Sequence, residues 1–149
     1  MSTFTGTGTG TGSNTGFVQN PLVDHIGLTV SDYAKAKKFY TAILESVGAK
    51  LHMEITPPHT PEGKYVAGYG YTTPDFWISN CDEHVAPTHV AFACDSRAQV
   101  DKWYEAALKA GAKDNGKPGI RAQYHPNYYG AFVIDADGHR IEAVCHKPE

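Results

Sequence analysis

One stretch of this chain is written twice. Residues 24–49, DHIGLTVSDYAKAKKFYTAILESVGA, return as residues 88–112, THVAFACDSRAQVDKWYEAALKAGA. Setting His25 on His89 brings Lys38-Phe39-Tyr40 onto Lys102-Trp103-Tyr104, Ala42 onto Ala106 and Leu44 onto Leu108. One deletion then aligns Gly48-Ala49 with Gly111-Ala112. A self-similarity of this kind limits the fold more than any overall composition, because both copies must adopt the same unit. Two copies imply a duplicated module; a solenoid needs three or more.

Each copy opens as a strand and continues as a helix. In His25-Ile26-Gly27-Leu28-Thr29-Val30 and His89-Val90-Ala91-Phe92-Ala93-Cys94, successive residues point to opposite faces. Ile26, Leu28 and Val30 form a bulky face for packing on a helix, as do Val90, Phe92 and Cys94. The other face is small except for one histidine, which suits the lining of a cavity. The helix that follows carries one buried stripe: Ala36, Phe39, Tyr40, Ile43, Leu44 and Val47 in the first copy, Val100, Trp103, Tyr104, Ala107 and Leu108 in the second. Ser96 with Gln99 has the form of a capping box, and Gly48 and Gly111 stand where the helices end.

Extended segments come next. Lys50–Ile55, Tyr65–Tyr71 and Phe76–Ser79 complete the first module, with 56–63 as a loop. Ala112–Asp114, Arg121–Tyr124, Ala131–Asp135 and Arg140–Cys145 complete the second, with Asp135-Ala136-Asp137-Gly138 as a tight hairpin turn. The expectation is an α+β fold of two tandem βαβββ modules, about 22–80 and 86–146, that build a cup-shaped curved mixed sheet with the helices on one face.

Residues 1–16 are a Gly/Thr/Ser tract with almost nothing to bury, so 1–18 are expected as a disordered tail and 19–149 as a single domain. Charged residues make up only 19%, the formal net charge is −3, and no basic run occurs. Nucleic acid is therefore not an expected partner; Lys35, Lys37 and Lys38 read as a solvated helix face. No signal-peptide core and no membrane-spanning apolar run is present. Cys81, Cys94 and Cys145 are odd in number and lack C-x-x-C spacing, which points away from a disulfide framework or a zinc ribbon. A cytoplasmic protein without a membrane partner is expected.

The duplication, D-H-I-G-L-T-V-S-D with its K-K-F-Y helix, T-H-V-A-F-A, and the terminal D-A-D-G-H-R-I-E-A-V together resemble the vicinal-oxygen-chelate superfamily of glyoxalases, bleomycin-resistance proteins and extradiol dioxygenases. The resemblance covers roughly 22–146. It is specific for fold and weak for reaction, because that superfamily hosts isomerases, lyases, dioxygenases, transferases and metal-free drug binders. It implies metal ligands on the first and last strands of each module: His25, His89 and Glu142, with Trp77 in the fourth slot, where tryptophan cannot ligate. A two-residue slip would bring Asp75 there instead. Two histidines and a carboxylate leave open positions for substrate or water around one divalent ion, Fe2+, Mn2+, Zn2+ or Ni2+. The residues themselves agree: both histidines fall on small-residue faces of equivalent strands, and Glu142 interrupts an apolar strand, where an unpaired carboxylate is costly.

The stretch Tyr124-His125-Pro126-Asn127-Tyr128-Tyr129 lies just before the strand that leads to Glu142. His125 is the first choice for an acid/base, with Tyr129 or Tyr124 as hydrogen-bond donor. Trp77 and Tyr128 are expected at the substrate, Trp77 as a wall that stacks on a flat or apolar molecule, and Arg121 as an attractor for an anionic group. His52, His59, His84, His139 and His146 read as solvated surface. The expected activity is that of a metal-dependent enzyme on a small oxygen-rich molecule chelated through vicinal oxygens, acting as a homodimer. The rival is a metal-free small-molecule-binding protein of the bleomycin-resistance type.

Overall fold

The computed structural model describes residues 22–81 and 84–149; the tail expected over 1–18 lies outside them. The first module runs β1 (Ile26–Val30), α1 (Tyr33–Glu45), β2 (Lys50–Ile55), β3 (Val66–Gly70) and β4 (Phe76–Asn80). The second repeats it as β5 (His89–Ala93), α2 (Arg97–Lys109), β6 (Lys113–Ile120), β7 (Tyr129–Ile134) and β8 (Arg140–Cys145). Each module is a four-stranded mixed sheet, ordered β1-β4-β3-β2 and β5-β8-β7-β6. The first strand pairs parallel with the last and the other pairings are antiparallel. The fold is α+β and built of tandem βαβββ modules. Among the described residues, no strand of one sheet pairs with a strand of the other.

Local chemistry sets the helix limits. Asp32 caps α1 by accepting the N–H of Lys35 at 3.0 Å, and Ser96 caps α2 by accepting that of Gln99 at 3.2 Å. Gly48 and Gly111 follow the helix ends with φ of +94° and +100°, a conformation that costs glycine little. One expectation fails in the second module. The segments Ala112–Asp114 and Arg121–Tyr124 are not separate strands; β6 is a single strand, and 121–128 closes as a turn tied by Arg121 N–H to Tyr128 O at 2.7 Å. Register shifts at Gly116 and Gly119 let the pairing with β7 continue through a Gly/Pro stretch that reads as a break in sequence.

One apolar core runs through both modules, joined where α1 packs on α2 and Phe76 meets Phe92. Tyr40, Tyr69, Ile43, Ile78, Trp103, Val133 and Ile141 are almost wholly buried. Each such side chain contributes about 2–3 kcal/mol relative to exposure. Phe76 of β4 meets Tyr40 at 5.1 Å and Phe92 of β5 at 5.0 Å, centroid to centroid, so the ring contacts cross from module to module. Leu108, expected in the α2 stripe, is instead 39% exposed, at the margin of that face.

The β7–β8 turn fastens the modules together. Gly138 takes the positive φ, +86°, that the hairpin requires. His139, expected at the surface, is 0% exposed. Its Nε2 donates to Thr29 O of β1 at 2.9 Å, and its Nδ1 accepts the N–H of Thr88 at 3.0 Å. Asp135 accepts from the Tyr40 hydroxyl of α1 at 2.7 Å and from its own turn's Asp137 and His139 N–H groups. Asp137 accepts from the Ser31 hydroxyl and N–H. Burial and the Asp135 carboxylate hold the Tyr40 hydroxyl protonated far above its ordinary range. Asp135, Asp137 and His139 are the one His/Cys/Asp/Glu group among the described residues close enough to hold a metal. Every ligand atom in that group already serves a hydrogen bond, so it acts as a clasp between modules.

Candidate metal and substrate site

Strand alternation places the chemistry on the sides of the sheets turned away from the core. In the first module that side carries Gly27, Thr29, Trp77 and Ser79, with His25 just ahead of β1. In the second it carries His89, Ala91, Ala93, Phe132 and Glu142. The register makes the two faces comparable residue by residue. Glu142 pairs with Ala91 as Trp77 pairs with Gly27, so Trp77 and Glu142 hold the same position in the two modules.

Glu142 is 2% exposed. Its Oε1 accepts from the Tyr128 hydroxyl, and its Oε2 lies 3.1 Å from His89 Nε2. Gly130 makes the approach possible, since a Cβ there would stand 3.1 Å from the Tyr128 ring and 3.3 Å from Glu142 Oε1. Burial, then the Glu142 carboxylate, raises the Tyr128 hydroxyl well above its ordinary range, which keeps it a donor.

His89 Nδ1 lies 3.1 Å from Arg140 O. A carbonyl only accepts, so Nδ1 donates to it, and Nε2 is left facing the Glu142 carboxylate. A nitrogen and a carboxylate oxygen at that distance are held together by a positive charge, either a proton on Nε2 or a metal ion beside the pair. His25 is prepared in the same way: its Nδ1 is bonded to Asp24 Oδ1 at 2.7 Å, which leaves Nε2 available. This second-partner pattern is the one that orients metal-binding imidazoles. The donor set therefore fits a divalent ion.

The three expected ligands do not meet within one chain. His89 and Glu142 are together, while His25 belongs to no cluster with them. It is exposed just ahead of β1 and also borders the cleft between the modules, beside Ala91 and Ala93. Asp75 is exposed and borders the apolar cleft between the modules, beside Phe76 and Val90, not the Trp77 face.

The aromatic segment divides the same way. Tyr124 packs edge-on against Tyr128 with centroids 5.1 Å apart, and His146 packs against Tyr128 at 5.0 Å. His125 stands 6.1 Å from His146, and its Nδ1 accepts the Asn127 N–H at 3.1 Å. Arg121 lies over the Phe132 ring at 5.5 Å and donates to Lys117 O at 2.6 Å; Phe132 is the register neighbour of Glu142. Tyr129 goes elsewhere. Its hydroxyl donates to Asp101 of α2 at 2.8 Å and its ring lies under Arg97, on the opposite side of β7 from Glu142. Tyr128, not Tyr129 or His125, holds the carboxylate. His146, expected at the surface, is exposed and yet part of this group, and His52 is half-buried and bonded to Gly70 O at 3.1 Å.

A sequence model of the Glyoxalase/Bleomycin resistance protein/Dioxygenase superfamily matches residues 22–143. The chain belongs to this superfamily. Among solved structures, it is similar to a glyoxalase/bleomycin resistance protein from Albidiferax ferrireducens, with 24% identity and a TM-score of 0.65 over 84% of this chain and 98% of that one. It is also similar to a mutant of the fosfomycin resistance protein FosX from Listeria monocytogenes, complexed with Mn(II) and 1S,2S-dihydroxypropylphosphonic acid. That match has 20% identity and a TM-score of 0.61 over 84% of this chain and 91% of that one. A glyoxalase I mutant from Zea mays matches with 23% identity and a TM-score of 0.62, over 85% of this chain and 45% of that one. At these identities the likeness shows the fold alone. No curated protein matches the sequence significantly.

Proposed function

We propose that this superfamily member is a divalent-metal enzyme acting on a small molecule that chelates through two neighbouring oxygens. The observation that carries the reading is the approach of exposed His89 Nε2 to buried Glu142 Oε2 at 3.1 Å, which puts one nitrogen and one oxygen within reach of a single ion. His25 is the third ligand, and it comes from a second copy of the chain. His25 stands apart from His89 and Glu142 within one chain, so the ligand set is completed when the first module of one copy covers the second module of its partner. The functional unit is then a homodimer with two shared sites.

A divalent ion held there supplies Lewis-acid polarisation of the substrate oxygens. The chain's own residues do the rest. Tyr128 donates its one proton to the outer oxygen of Glu142 and so fixes the orientation of the carboxylate at the site. Arg121, seated on Phe132, faces an anionic substituent. Tyr124 and His125 cover the mouth, with the unprotonated-side nitrogen of His125 already occupied by Asn127.

Metal analysis of the purified protein tests this. The wild type is expected to retain one ion per chain, and His25→Ala, His89→Ala and Glu142→Ala to lose it; equal metal in all four sinks the reading. Sharing is tested by mixing His25→Ala and Glu142→Ala chains under exchange. One intact site forms per mixed dimer, so metal content rises to about a quarter of wild type. The second reading, a metal-free binding protein, is favoured by Trp77 at the fourth ligand position. It predicts small-molecule binding that survives chelator treatment and all three substitutions.

A further inference from the structure

Across the first module's outer face, Gly68 of β3, Trp77 of β4 and Gly27 of β1 are register neighbours in one row. Only the middle residue has a side chain. A Cβ on Gly68 would fall 2.6–2.8 Å from three carbons of the indole's six-membered ring. The indole therefore lies down against the β3 backbone instead of standing off the sheet. A Cβ on Gly27 would meet nothing within 4 Å, so the space on the β1 side is open. Together these make a broad concavity of about 710 Å³, bordered by His25, Gly27, Thr60, Pro74, Trp77 and Ser79. The matching row in the second module is Phe132, Glu142 and Ala91. Where one module places a carboxylate, the other places a flat π-surface, diagonally across from His25.

We propose that Trp77 is the stacking platform for a planar conjugated ring in the substrate, carried next to its chelating oxygens. This rests on the small-molecule reading of the outer faces but not on the metal. The half-buried indole has one side closed by Gly68, so a ligand meets the other. Width above Gly27 allows the ring to slide into the offset arrangement that aromatic pairs prefer. An acyclic or puckered diol presents the same oxygens to His25 and leaves the indole uncovered. The substrate class selected is a ring-bearing vicinal diol or enediol.

The test uses the full chain with its tryptophans labelled at the indole nitrogen, in the presence of chelator. Trp103, 0% exposed in the core, is the internal reference. Naphthalene-2,3-diol is expected to shift the Trp77 indole resonance saturably and leave that of Trp103 in place, while cyclohexane-1,2-diol shifts neither. By calorimetry, Trp77→Leu should weaken naphthalene-2,3-diol about five- to tenfold, and Trp77→Phe about twofold or less. An unmoved Trp103 resonance reports that each variant keeps its core. An unshifted Trp77 resonance, equal binding of the saturated diol, or wild-type affinity in Trp77→Leu would overturn the proposal. A chain that passes here but holds no metal keeps the ring platform and loses the metal centre; the converse keeps the metal and loses the ring.

Discussion

His139→Ala separates a surface histidine from a clasp. The imidazole is 0% exposed and bonded on both nitrogens, to Thr29 O of the first module and to Thr88 N–H of the second. Truncation removes two hydrogen bonds, about 1 kcal/mol each net. It also leaves a small cavity at the turn, worth roughly another 1 kcal/mol because Thr29 and Thr88 lie where water can follow. The expected loss is about 3 kcal/mol. For a domain of this size that corresponds to a fall in Tm of about 10 °C. Urea and thermal unfolding at one fixed protein concentration measure it, with exposed His84→Ala as the control, expected within about 0.5 kcal/mol of wild type. A His139→Ala variant that unfolds within 1 kcal/mol of His84→Ala would refute the clasp.

Tyr128→Phe should weaken metal binding about tenfold, measured by competition with a chromophoric chelator, because the outer oxygen of Glu142 loses its donor; unchanged affinity would mean that Tyr128 does not position the ligand. Burial, with Cys145 alongside, pushes the Cys94 thiol up from 9.0 to about 11. Its folded pKa is raised, so the stability it contributes is complete below the unfolded value and is lost as pH rises toward 11. Between those values this group should lower stability by up to about 1.4 kcal/mol per pH unit. Cys94→Ala should flatten that part of the profile, and an identical alkaline slope in both proteins would contradict it.

The fold was legible because period-two and helical patterns recur in both copies, and the same alternation reaches further than the motif reading took it. Tyr128 is in phase with Gly130 and Phe132, on the Glu142 side of β7; Tyr129 is in phase with buried Ala131 and Val133. His146 is in phase with Glu142, and His139 with Ile141, Ala143 and Cys145 on the core side. Counting phase from the neighbouring strand would have chosen Tyr128 over Tyr129 and buried His139. What strand phase cannot convey is the relation between faces. That His25 lies apart from His89 and Glu142 depends on how the two modules pack. The continuity of β6 depends on how Gly116 and Gly119 bulge, which composition alone reads as a break.

The row Gly68–Trp77–Gly27 and its counterpart Phe132–Glu142–Ala91 stand on the reverse of the strands that build the core. Odd and even positions of one strand thus answer to separate demands, cohesion on one side and recognition on the other. A duplicated unit of this design can let one copy drift from donating an atom to offering a surface without loosening the domain. Mutational scanning of the chain would register that independence as two interleaved patterns along β1, β4, β5 and β8: one set of positions that governs abundance, and another, one residue out of step, that governs ligand choice.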